Sequence, residues 1–305
     1  MIQPVGFNQV RFSADKTSID QNTGDYKDPL MQYPLRGAAF SNEVGEALRP
    51  VIGNYATVSW APALLYIGAD VYDKYKNNQT EYSPNSKRCL KQAVFQGMAS
   101  IMLPLVAVKS GQNSFSQFGK LTKDKISINS KEHVSKVAQQ FVANGKMHAF
   151  SGRDEECIEE FKNITLSSMD YNENKKSIKN FFKIFKKDNK KDVENYAENT
   201  IKDLINLRKN LLNPSEEFSQ SKLYKSYKAD ISKGQTPNVA VKTVLSNYQA
   251  GKMLKGNFTK TLGGFAALAL AIKPIDYFVE EILIDKVVGP EIDKLKIEKK
   301  REPVQ

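Results

Sequence analysis

A chain of 305 residues with 40% hydrophobic and 26% charged residues has the composition of a folded protein, which excludes a wholly disordered chain and leaves room for one large or two ordinary domains. Lys and Arg total 45 against 34 Asp and Glu, and the net charge of +11 favours anionic partners, phospholipid headgroups or nucleic acid. Cys89 and Cys157 lie far apart with no CxxC or Cys/His cluster, so neither a disulfide framework nor a zinc site is indicated.

Residues 1–35 mix Gly, Asn, Asp, Pro and Ser without period and read as a flexible N-terminal tail, with no apolar run of signal-peptide length. Ser41 then offers a helix cap, Glu43 and Glu46 suit the first turns, and Pro50 ends or kinks the helix. The stretch VIGNYATVSWAPALLYIGADV, residues 51–71, has no ionisable charge before Asp70 and about the length that crosses a bilayer core. Its Asn54, Thr57, Ser59 and Pro62 equally suit a buried core helix. A second apolar block, QAVFQGMASIMLPLVAV, covers residues 92–108 and is interrupted by Pro104. The third, LGGFAALALAI, begins after Thr261 and meets Lys273, Pro274 and Asp276, so its uncharged run is too short to cross unaided.

Between the second and third blocks the chain is basic. Residues 109–260 hold 28 Lys/Arg and 17 Asp/Glu, and the remainder of the chain is balanced. Amphipathic periodicity predicts helices over 131–143, over 191–212 with Asn213 and Pro214 as the stop, and from Thr236 and Pro237 to about Leu254. In KKSIKNFFKIFKK, residues 175–187, Phe181, Phe182 and Phe185 share one helical face, while Lys175, Lys176, Lys179, Lys183, Lys186 and Lys187 occupy another. That pattern suits a helix lying on an anionic membrane surface; a solvated lysine face over core phenylalanines is the plainer alternative. Nucleic acid is disfavoured because no helix-turn-helix, zinc-finger or RNP-like signature accompanies the charge. His133 and His148 sit in unrelated contexts, and the acidic run 154–160 lacks the alternating ligands of a calcium loop, so no metal, cofactor or small-molecule substrate is expected.

Three segments in order resemble the mitochondrial fission process protein family. NEVGEALR brings Asn42, Glu43, Gly45, Glu46 and Arg49, followed by an apolar run that closes on Asp70. VFQGMASIMLP brings Gln96, Ser100 and Pro104, with Phe95 where the family has Trp. KPID brings Pro274 and Asp276, with Lys273 where the family has His. The resemblance spans residues 36–110 and 256–288, and the family lacks the long insertion between them. It implies a non-enzymatic membrane protein that organises or helps to divide a membrane, with other membrane-division proteins as candidate partners: the mitochondrial inner membrane in a eukaryote, the cell membrane in a bacterium.

The resulting expectation is a mainly α, membrane-associated helical bundle with three apolar helical blocks and a basic helical insertion. Its parts are a tail (1–35), a first membrane-type part (36–109), the insertion (110–255), a last membrane-type part (256–290) and a polar C-terminal tail (291–305). An ion pair between Arg49 and Asp276 is expected where the first and third blocks meet. The alternative is a soluble or peripheral helical scaffold that binds anionic surfaces or nucleic acid.

Overall fold

The computed structural model describes residue 30 and residues 35–78, 81–169 and 188–295. The described chain is helical apart from short connecting loops and a small antiparallel ribbon, Asn77–Asn78 against Glu81–Tyr82. Thirteen α-helices follow in chain order among the described residues: α1 (Leu35–Ala39), α2 (Ser41–Ile52), α3 (Trp60–Lys76), α4 (Ser86–Gln96), α5 (Leu103–Ser116), α6 (Ile128–Ala143), α7 (Lys146–Ala149), α8 (Asp154–Ser167), α9 (Lys190–Leu212), α10 (Glu216–Ser219), α11 (Lys222–Ser232), α12 (Pro237–Tyr277) and α13 (Gly289–Lys294).

Two of these are parts of longer rods. α4, a π-helical turn over Gly97–Met102, α5 and a 3-10 turn form a continuous helix from Ser86 to Leu121. α12, a π-helical stretch over Phe278–Val288 and α13 run on from Pro237 to Lys294. At about 1.5 Å per residue these rods are roughly 50 and 85 Å long. Both are long and apolar enough to cross a membrane, and only 28% of the apolar window in each is buried.

The basic half has an ordinary interior. Val134, Ala138 and Phe141 of α6, Phe161 of α8, Ile201 and Leu204 of α9, Tyr227 of α11 and Val244 and Leu245 of α12 form one continuous core. The Phe141 and Phe161 rings meet edge to face with centroids 5.5 Å apart. The periodic helices over 131–143 and 191–212 are found as α6 and α9, and Asn213 and Pro214 do follow the end of α9.

Two expectations are corrected here. Residues 51–71 are not one helix, because α2 already contains Pro50 and ends at Gly53, whose φ of +59° is a left-handed conformation that a side chain resists; a 3-10 segment over Gly53–Ser59 then turns the chain into α3. The helix beginning at Pro237 does not stop near Leu254. It passes Gly251, Gly256, Gly263, Gly264 and Pro274, and the helix-weakening glycines are offset by close packing. A Cβ on Gly263 would stand 2.5 Å from the Gly111 carbonyl oxygen, and one on Gly111 would stand 2.2 Å from the Gly263 carbonyl oxygen, so α5 and α12 cross nearly backbone to backbone. α12 therefore belongs to both halves and ties them into one body.

Candidate functional site

The apolar half is organised around polar side chains that its prolines and glycines make necessary. Pro104 has no N–H, so the carbonyl of Ser100, four residues earlier, loses its helical donor. The helix loosens there into the π-turn Gly97–Met102, and Asn42 of α2 donates from Nδ2 to the Ser100 carbonyl at 2.9 Å. Pro50 creates the same vacancy at the Glu46 carbonyl, and Gln112 of α5 fills it, donating from Nε2 at 2.8 Å. Each proline's orphaned acceptor is thus served by a carboxamide from the neighbouring helix.

These two bonds open onto a buried seam. Asp70 of α3, only 3% exposed, accepts from Gln96 Nε2 at 2.5 Å and also from Gln92 Nε2. Ser100 donates from Oγ to Gln96 Oε1 at 2.6 Å, which fixes the amide so that its nitrogen faces Asp70. The buried Glu46 carboxylate accepts from Arg49 Nε at 2.8 Å, from Arg49 Nη2 at 2.5 Å and from Trp60 Nε1 at 2.9 Å. Glu43, 7% exposed, lies within the field of the Asp276 carboxylate of α12. Gly45 permits the tight return of α3 onto α2, since a Cβ there would overlap the Ser59 hydroxyl, and Ser41 donates from Oγ to the Ser59 carbonyl at 2.7 Å.

The structure thus gathers Asn42, Glu43, Gly45, Glu46, Asp70, Gln96, Ser100, Pro104 and Asp276, drawn from three distant stretches of sequence, into one half of the molecule. The expected Arg49–Asp276 pair is corrected: Arg49 is engaged by Glu46 one turn back in its own helix, and Asp276 acts on Glu43 instead. Pro274 is exposed on α12 and interrupts no helix. Gln92, Gln112 and Trp60 are seam residues that the motifs did not single out. The signal for Gln112 and Asn42 was present nonetheless, in prolines that must orphan a carbonyl inside an apolar helix.

Outside the seam the surface is apolar. Leu65, Val58, Val106 and Leu270 are 76%, 71%, 60% and 78% exposed, and Tyr55, Leu64, Met102 and Leu262 accompany them. Between residues 126 and 253, by contrast, Leu212 and Val239 are the only exposed large hydrophobics among the described residues. Water-facing proteins keep their large apolar side chains in, and among the described residues only the basic half follows that rule.

The basic half holds one dense polar junction, at Asp188. Its carboxylate accepts from the Ser127 backbone N–H at 3.0 Å and from the Ser127 and Ser130 hydroxyls at 2.6 Å each, with Lys120 Nζ at 3.1 Å. Burial pushes this carboxyl up, but those hydrogen bonds together outweigh it and hold it below the usual aspartate value. The lysines and phenylalanines of residues 175–187, namely Lys175, Lys176, Lys179, Phe181, Phe182, Lys183, Phe185, Lys186 and Lys187, lie outside the described residues. His133 meets the Ser168 hydroxyl at 2.8 Å and His148 is exposed. Among the described residues no group of His, Cys, Asp and Glu could hold a metal ion.

Comparison of the chain with protein-family models, with curated proteins and with solved structures gives no match.

Proposed function

We propose that this chain is an integral membrane protein without chemistry of its own, whose apolar half lies in the bilayer and whose basic half stands in water as an adaptor toward anionic surfaces. The observation that carries this is the inverted polarity of one half: Asp70, Glu43, Glu46, Asn42 and Gln96 are buried while Leu65, Val58 and Leu270 are exposed. In hydrocarbon an unsatisfied backbone carbonyl costs several kcal/mol, and the amide donors at both prolines answer that demand. Charged and amide side chains turned inward and paired are the arrangement expected of a membrane bundle.

In this reading Ser86–Leu121 and Pro237–Lys294 contribute the two crossings, and α2 with α3 forms a re-entrant hairpin packed on them. A role in organising or dividing a membrane rests on the resemblance of three motifs, and so does placement in a mitochondrial inner membrane or bacterial cell membrane. The motif residues then act as the polar fasteners of the bundle. Alkaline carbonate extraction of membranes from cells expressing the full chain is the test. Retention in the pellet is expected; release of most of the protein into the supernatant would replace this reading with that of a soluble or peripheral scaffold.

A further inference from the structure

At the edge of the apolar half lies a cleft of about 460 Å³ that the buried seam does not use. The 3-10 turn Gln117–Leu121, α6, α9 and α12 enclose it, with Phe118, Lys131, Tyr196, Lys252 and Lys255 among its walls. Charge sets its height. Residues 92–108 and 261–272 are uncharged, and Lys109 and Lys260 close these runs at the same end, because Gly111 meets Gly263 where α5 crosses α12. Lys255 stands five residues beyond Lys260, a helix rise of about 7.5 Å. Headgroups add roughly 5–7 Å to each side of the hydrocarbon core. Around the cleft Phe118, Leu121, Leu254 and Phe258 are exposed, as suits anchors where acyl chains begin.

The charges inside are nearly balanced. Lys131 is paired with Asp124, donates to Thr122 Oγ1 at 2.8 Å and stands 5.5 Å from the centroid of the Tyr196 ring. Lys252 donates to Asp203 Oδ2 at 2.6 Å and stands 4.7 Å from the centroid of the Tyr248 ring. Lys255 is the cation of the cleft with no carboxylate partner among the described residues. One unneutralised ammonium matches one negative charge, and the hydroxyl of Tyr196 can add a donor to it.

We propose that this cleft binds the headgroup of a glycerophospholipid, its singly charged phosphodiester against Lys255 and its acyl chains descending past Phe118 and Phe258. The site rests on the membrane reading above. Asp124 and Asp203 disfavour a polyanion, because a second phosphate charge would meet carboxylates already committed to lysines.

Full-length protein purified in a neutral detergent, incubated with phosphatidylglycerol and weighed by native mass spectrometry, reports lipid retained per chain. Diacylglycerol removes the phosphate from the probe, and sn-glycerol 3-phosphate removes the acyl chains. One phosphatidylglycerol per chain is expected, with both controls held at least about tenfold more weakly. Lys255→Glu reverses the charge and Asn199→Phe fills the cleft from an exposed position; each should reduce retention about tenfold or more. Lys222→Glu, the same charge change on exposed α11, should leave it unaltered. Equal loss in Lys222→Glu, equal retention of diacylglycerol, or full retention by both cleft variants overturns the site. Glycerol 3-phosphate bound as tightly as the lipid would make the cleft a soluble-anion pocket and likewise overturn it. A protein that resists carbonate yet holds no lipid here loses only the cleft, whereas one that carbonate releases loses the membrane reading.

Discussion

If Asn42 exists to serve the carbonyl that Pro104 orphans, then the two residues must be energetically coupled although their side chains perform different tasks. Asn42→Leu keeps the volume and removes the Nδ2 donor that reaches the Ser100 carbonyl at 2.9 Å. An orphaned acceptor buried away from water costs about 1–3 kcal/mol. Part of that is returned, because Asn42 Oδ1 is itself buried without a partner and leaves with the substitution; a net loss of about 1–2 kcal/mol is expected. Pro104→Ala restores an N–H four residues after Ser100, so the carbonyl regains a helical donor and no longer depends on α2.

The double variant should therefore be more stable than the sum of the single effects predicts, by about 1 kcal/mol or more. Reversible unfolding of the full chain in mixed micelles, read by the fluorescence of Trp60 on the neighbouring helix, gives the four free energies of the cycle. The paired cycle Gln112→Leu with Pro50→Ala tests the second instance of the same bond. Strict additivity in both cycles would refute the reasoning, since it would mean that these carbonyls are satisfied by something other than the amide side chains.

The remaining expectations are simpler. Gly263→Val should separate α5 from α12 and cost several kcal/mol, seen as loss of folded protein by size-exclusion chromatography in detergent, because even a Cβ would lie 2.5 Å from the Gly111 carbonyl oxygen. Replacing Glu43 with Gln keeps the size of a buried side chain and removes its capacity to ionise, so it should leave thermal stability unchanged or raise it, whereas Asp70→Ala should lower it by about 1–3 kcal/mol by stranding the Gln92 and Gln96 amides. Cys157 is buried, and burial pushes its thiol up to about 11, so a maleimide at neutral pH should label Cys89 in the folded protein and reach Cys157 only after denaturation. Asp188 is held below its unfolded value, so its contribution is complete above the ordinary aspartate value of about 3.9 and is lost as pH falls through the depressed one; Asp188→Asn should flatten that part of the acid-unfolding curve.

Much of the helical plan was legible because amphipathic period and stop signals act locally. α6 and α9 lie where the apolar spacing put them, and α12 starts at Pro237 directly after Thr236, although the Thr236 hydroxyl makes no capping hydrogen bond. The end of α12 was not legible, since glycines read as weakness in a single helix. Their purpose appears only when a second helix is present: Gly263 has a reason to be glycine once Gly111 lies against it. The first apolar block failed for the opposite reason. Its uncharged length suggested one crossing, but Pro50 and the left-handed Gly53 give a turn that hydropathy does not register.

The seam shows where reading by motif and reading by physics diverge. The resemblance picked out Asn42, Ser100 and Pro104 as three separate marks, whereas the structure makes them one device, a proline, the carbonyl it frees and the amide that answers it. Charge logic favoured Arg49 with Asp276 because opposite charges at the edges of two blocks invite pairing. The local competitor won: Glu46 is one turn away on the same helix, needs no chain closure to find Arg49, and offers both carboxylate oxygens to its guanidinium. Asp276 lies within the field of Glu43, so the first and third motifs do meet where α2 packs on α12, but through a different residue of the first motif.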